Sequence, residues 1–205
     1  SYNEQISRER VVSAAHDVDR QIEQMLEHSQ KNAVSIAQNY RLISGLQAGD
    51  FDRTKSALDD LNRYLRADTI SITDTEGNIF IRQHEPTKHG DNILGQANVQ
   101  KALAGEMLTT MEPGALVKLS CRTGAPVRNA EGEIIGTVVT GYTFENSVLL
   151  DELKALHNTE FTIYAGNQAI ATTMLQDGQR MLDVQLEEGI ARTVLEEGQP
   201  YTGDT

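Results

Sequence analysis

Two arginines and a histidine sit in β-like patterns that would aim them at a common ligand. In NIFIRQH, residues 78–84, the period of two puts Phe80, Arg82 and His84 on one face and Ile79 and Ile81 on the other. A guanidinium offers a planar fork of donors that grips a carboxylate at two points, and the imidazole adds a donor beside it. In LVKLSCR, residues 116–122, the same alternation gathers Leu116, Lys118, Ser120 and Arg122. In the strand pattern over 133–144 it groups Thr140 and Tyr142 with Ile134, Gly136 and Val138. The expected pocket for one small carboxylate is therefore lined by Arg82, His84, Ser120, Arg122, Thr140 and Tyr142.

Each of these residues has a plainer reading. Arg82 can pair with Glu76 or Asp91 at the surface, where such pairs contribute little. Lys118 reads as a solvated strand residue and Tyr142 as core. His84 and His89 have no clustered third ligand, so no metal site is expected. No nucleophile stands beside a base, and the chain has no serine elbow, phosphate loop or zinc signature. An enzyme is not expected, and no cofactor is implied.

The elements that must carry these residues begin with a long amphipathic helix. Apolar residues recur in steps of three and four from Ile6 through Val11, Ala15, Val18, Ile22, Met25, Ala33, Ile36 and Tyr40 to Ile43, with Gly45 and Gly49 as stop signals. Such a helix spans roughly 60 Å. Its narrow seam suits pairing with a second copy, which makes a homodimer through this helix the expectation; the alternative is that it lies along its own domain. Phe51, Leu58, Leu61 and Leu65 mark a second helix. Residues 69–144 then read as a meandering antiparallel sheet: TISIT, a turn at Asp74–Gly77, NIFIRQH, a short helix VQKALAG, LVKLSCR, APVR, a turn at Asn129–Gly132, and EIIGTVVTGYTF. The fold class is α+β.

Composition narrows the partners. Of 205 residues, 39% are hydrophobic, and 30 acidic side chains against 18 basic ones give a net charge of −12. No basic stripe offsets that field, so nucleic acid is not an expected partner. The lone cysteine, Cys121, alternates with Val117 and Leu119 and reads as core. No stretch reaches the roughly 20 apolar residues that cross a bilayer, which fits a soluble protein or a soluble piece of a membrane protein.

A repeat organises the chain. TIYAGNQAIATTM, residues 162–174, echoes SITDTEGNIFIRQ, and GIARTVLEEG, residues 189–198, echoes ANVQKALAGE. Ile72 falls opposite Ile163 and Val99 opposite Ile190 at the same offset. The expected organisation is helices over 1–66, a first sheet module over 67–146, a linking helix over 147–159 carrying Leu149, Leu150, Leu153 and Leu156, and a second, partial module over 160–205. The second copy breaks off at Thr205 before its later strands, so the natural chain is expected to continue. Its strands carry no cation, and Arg180 reads as a turn residue. This module is expected to transmit rather than sense.

In this order, the segments DTEGNIFIRQHEP, the glycine-bounded stretch 90–105, PVRNAEGEIIGTVVTGY and residues 160–180 resemble the double Cache sensory domains of bacterial chemoreceptors and sensor histidine kinases. The resemblance implies two stacked PAS-like modules, the membrane-distal one binding a small metabolite, held outside the cytoplasm between two membrane helices. It implies a receptor that signals through a shift of the long helix, a chemoreceptor first and a sensor histidine kinase as the alternative. A structural or dimerising module with no ligand is the third reading. Single Cache sensors for citrate and C4-dicarboxylates carry a similar D-x-x-G, Arg, His-Pro segment and a later arginine, to which Arg82, His84 and Arg122 would correspond. Here Glu85 separates His84 from Pro86, and Gly124 stands where citrate sensors place a cation. The resemblance therefore argues against a tricarboxylate and leaves acetate, pyruvate or lactate as the expected class.

Overall fold

The computed structural model describes residues 2–113, 118–145, 154–155, 162–165, 168–172, 175–176 and 179–180. Its first helix, α1 (Tyr2–Ala37), ends sooner than the apolar spacing predicts. Asn39 adopts an extended backbone, and its side chain accepts the Leu42 N–H at 3.1 Å, which starts a new helix, α2 (Tyr40–Ala48). Gly49, at φ 62°, closes α2 in the left-handed conformation. Gly45 is no stop signal. It lies buried inside α2, where a Cβ would come within 2.5 Å of Thr54 Oγ1, so its bareness lets α3 (Phe51–Leu65) pack close. Asp50 caps α3 through the Arg53 N–H.

Strands β1 (Thr69–Thr73) and β2 (Ile79–Arg82) form the first hairpin. Its turn is built by Asp74, whose carboxylate accepts the backbone N–H groups of Glu76 and Asn78. Helix α4 (Ala97–Leu103) follows, then β3 (Leu108–Pro113), β4 (Lys118–Arg128) and β5 (Ile134–Glu145). The sheet order is β2-β1-β5-β4-β3. This is not the plain meander that the order of segments suggests. β5 returns beside β1, so β1 lies inside the sheet and β2 becomes an edge.

Residues directly opposed in the sheet share a face, and the register sorts them. Ile70 faces Thr140, and Ile72 faces both Val138 and Ile81. This face is the core: Ile36, Leu42, Leu58, Ile70, Ile72, Ile81, Val127 and Val138 are all fully buried. Burying each such side chain contributes about 1.5–3 kcal/mol. Part of α1 seals the face with polar contacts. Ser29 Oγ lies 2.5 Å from Thr123 Oγ1, which lies 2.9 Å from Thr109 Oγ1. From Met25 onward, the buried side of α1 is therefore spent on its own sheet.

The opposite face carries Ser71 facing both Arg82 and Val139, and Thr69 facing Gly141. A Cβ on Gly124 would meet the Asn98 carbonyl oxygen at 2.4 Å, so α4 is seated on this second face.

The described chain divides into two compact units. One comprises Met25–Thr110 with Cys121–Thr143; the other comprises Ser1–Gln24, Met111–Ser120 and Phe144–Thr205. In the second, β6 (Thr162–Ala165) pairs antiparallel with β7 (Gln168–Thr172). Strand β8 (Leu175–Gln176) pairs with β9 (Gln179–Arg180), so Arg180 opposes Leu175 rather than forming a turn. The expected linking-helix leucines and the helix over 189–198 lie outside the described residues.

Candidate functional site

The second face of the sheet is where cations gather. Arg82 ends β2, and Arg122 lies on β4 with its Cγ 3.9 Å from where a Gly141 Cβ would sit. Between them run β1 and β5, presenting Thr69, Ser71, Val139 and Gly141. Three strand spacings separate the backbones of the two arginines by roughly 14 Å. The floor between them stays low because its residues are short. A Cβ on Gly141 would come within 2.2 Å of Thr69 Oγ1, so a side chain there would have to turn the threonine hydroxyl aside. The spacing TISIT, with Thr69 and Ser71 alternating against isoleucines, is the signal that could have identified this floor from sequence.

His84 reaches the site by a different route from the one its spacing suggests. β2 stops at Arg82, because the Glu85 N–H closes a turn on the Arg82 carbonyl. The Gln83 N–H still bonds the Ile70 carbonyl, and His84 Nδ1 accepts the Ile70 N–H at 3.3 Å, so the imidazole stands in for the next ladder carbonyl. That bond sets the tautomer, leaving Nε2 as the proton-bearing nitrogen. Partial withdrawal from water, with the like charges of Arg82 and Arg122, holds the His84 pKa below the ordinary histidine range.

Arg82 is engaged. Its Nη1 and Nη2 donate to Asp91 Oδ1 and Oδ2 at 2.6 and 2.7 Å, and Nη1 also donates to the Lys88 carbonyl at 3.0 Å. The surface pairing weighed from sequence is therefore present, and its partner is Asp91 rather than Glu76. Arg82, Glu85, Thr87, Lys88, His89 and Asp91 line an open depression of about 570 Å³. Lys88 pairs with Glu85 at its rim, at 2.6 Å.

Three expectations change here. A β-bulge shifts the register between Ile72 and Thr73, so Thr73 opposes Ile79 and Phe80 is the extra residue. The Phe80 ring packs edge to face on Phe51, at 6.3 Å, and leaves the alternation that linked it to Arg82. Thr140 and Tyr142 lie on the core face, not with the arginines. Tyr142 Oη is hydrogen-bonded to Asn32 Nδ2 of α1 and to the Leu65 carbonyl, and its ring meets His28. Thr140 is fully buried opposite Ile70. Ser120 lies on β4 two residues before Arg122 but belongs to the other compact unit. Cys121 is buried, and burial pushes its thiol pKa up. The structure thus brings Arg82, His84 and Arg122 to one face and leaves Thr140 and Tyr142 on the other.

One buried group escaped the sequence reading. Asn98, at the start of α4, is 2% exposed, and its Nδ2 has no hydrogen-bond partner among the described residues.

Comparison with known proteins supplies context for this geometry. A family model described as the double sensory domain of two-component sensor kinases matches residues 8–205. Sensor histidine kinase CitA of Klebsiella pneumoniae is 26% identical over 113 residues, 55% of this chain and 20% of that kinase. The chain thus aligns with about one fifth of that relative's length. The sensor domain of V. cholerae histidine kinase DctB is similar in structure with a TM-score of 0.60 at 16% identity, over 84% of this chain and 66% of that one. The ligand-binding domain of Campylobacter jejuni chemoreceptor Tlp3, solved in complex with 4-methylisoleucine, gives a TM-score of 0.55 at 13% identity, over 84% and 71%. At these identities the structural likeness speaks for the fold.

Proposed function

The chain belongs to the double Cache family, the double sensory domains of two-component sensor kinases, and from that premise we propose that it binds a small organic anion for a membrane receptor. The ligand class is a carboxylate of the size of acetate, pyruvate or lactate. The observation that carries this reading is that Arg82 at the end of β2 and Arg122 on β4 lie on one face of the sheet, with the short side chains of β1 and β5 between them. Arg82 grips the carboxylate, His84 donates through Nε2–H, and Arg122 supplies the opposite wall.

The receptor holds this domain outside the cytoplasm. Among the described residues no helix is long and apolar enough to cross a membrane, so the spans of such a receptor would flank the domain. A homodimer forms through α1 ahead of Met25, since the later turns are engaged with their own sheet. Ligand binding shifts α1 and passes the signal inward. Two outputs fit this arrangement. The sequence fits a chemoreceptor and a sensor histidine kinase alike; the family's description and the kinase relative support the kinase output.

The test is a melting series with acetate, pyruvate and lactate. A ligand at 100 times its Kd stabilises by about 2.7 kcal/mol, equivalent to roughly 5–10 °C in a chain of this size. Arg82→Ala should abolish the shift while the protein still folds. A shift retained in full by Arg82→Ala would remove the arginine from the site, and no shift with any anion would favour a structural module.

A further inference from the structure

Asp91 holds Arg82 in the geometry that a ligand carboxylate needs. Both of its oxygens meet the two terminal nitrogens of the guanidinium, at 2.6 and 2.7 Å. Such end-on bidentate pairing is the strong mode of arginine–carboxylate recognition. The two partners are unequally placed: the Arg82 side chain is 18% exposed and that of Asp91 is 55% exposed. The guanidinium is further fixed by the Lys88 carbonyl, at 3.0 Å. Of the two, the carboxylate is the partner that can leave.

Its departure need not disturb the loop. The Asp91 carbonyl accepts the Ile79 N–H at 2.8 Å, the Gly90 N–H bonds the Ile79 carbonyl at 2.8 Å, and Asn92 Nδ2 bonds the Glu76 carbonyl at 2.9 Å. Residues 90–92 are thereby laced along the outer edge of β2, and rotation of one side chain releases Arg82. The pairing also holds the Asp91 carboxyl below the usual carboxylate range, so it stays ionised at neutral pH.

We propose that Asp91 is a built-in competitor of the ligand, occupying the donor edge of Arg82 that an incoming carboxylate must take. This inference rests on the carboxylate-binding reading above. Its consequence is selectivity. A carboxylate that replaces Asp91 exchanges one charge-assisted pair for another, so net affinity must come from what the rest of the ligand makes with His84 and Arg122. A bare monocarboxylate gains least, and an anion with a second polar group gains most.

The experiment is calorimetric titration of the folded domain with sodium pyruvate, acetate and lactate, comparing wild type, Asp91→Asn, Glu85→Gln and Arg82→Ala. Glu85 belongs to the same depression but pairs with Lys88, so Glu85→Gln removes the same charge without releasing Arg82. Asp91→Asn should bind about three- to fivefold tighter, the upper part of the range that loss of one partly exposed ion pair implies. Glu85→Gln should change affinity by less than about twofold at 0.15 M salt, where exposed charges are screened. Equal gains in the two variants would mean a field effect and overturn the proposal. Weaker binding by Asp91→Asn would make Asp91 a positioning residue, which also overturns it. If Asp91→Asn folds poorly, Asp91→Ser serves the same comparison. Unchanged binding by Arg82→Ala would instead defeat the carboxylate reading itself, and absence of binding in every variant would defeat both.

Discussion

Replacing Gly124 by alanine drives a methyl group into the backbone of α4. The new Cβ would lie 2.4 Å from the Asn98 carbonyl oxygen, 2.7 Å from its carbonyl carbon and 3.1 Å from its Cβ, where ordinary contact begins at 3.4 Å. Two of these neighbours are backbone atoms, which no rotamer change can move aside. Helix α4 must therefore lift by about 1 Å, and Val99 and Ala102, both fully buried, lose contact with the sheet as it does. Overpacking of this kind costs about 1–3 kcal/mol, and a backbone clash belongs at the upper end. A loss of about 3 kcal/mol lowers Tm by roughly 6–12 °C in a chain of 150–250 residues. Scanning calorimetry of Gly124→Ala against wild type measures it directly. A Tm within about 1 °C of wild type would refute the seating of α4 on β4. The same geometry explains why position 124 holds no cation: a lysine stem there would have to displace the helix first.

Two further outcomes are expected. Thr123→Val removes the hydroxyl that joins buried Ser29 to Thr109 and should cost about 1–2 kcal/mol, seen as a lower urea midpoint at unchanged slope; an unchanged midpoint would mean that the seam contributes nothing. His84 favours its neutral form in the fold, so above its unfolded pKa of about 6.5 it adds no penalty, and stability falls as pH drops through that value because the unfolded chain takes up the proton more readily. Urea midpoints at pH 7.5 and 5.5 should differ less in His84→Gln than in wild type, and equal differences would take the histidine out of the linkage.

The legible parts of this protein are those decided by neighbours a few residues apart. The Asp74 turn follows from a carboxylate reaching the N–H groups of Glu76 and Asn78, which any Asp-x-x-Gly hairpin can supply. The alternation TISIT sends Ile70 and Ile72 to the core as its period requires. The repeat at residues 162–172 likewise appears as a paired hairpin, β6 with β7. The break at Asn39 was also written locally, in a residue that caps helices, yet the apolar periodicity running across it masked the signal.

From its sequence alone, the chain specified its α+β class, its first hairpin and the short helix that follows it, because hydrogen-bonded turns and side-chain periods act over short distances. The tertiary structure decided which of those side chains meet. Tyr142 turns to Asn32, 110 residues away in the chain, because the core face of the sheet is wherever α1 lies. Phe80 is carried to Phe51 by a bulge that the partner strand imposes. Arg82 is held by Asp91 because the loop between them folds back along the edge of β2. A strand pattern defines two faces; only packing says what covers each.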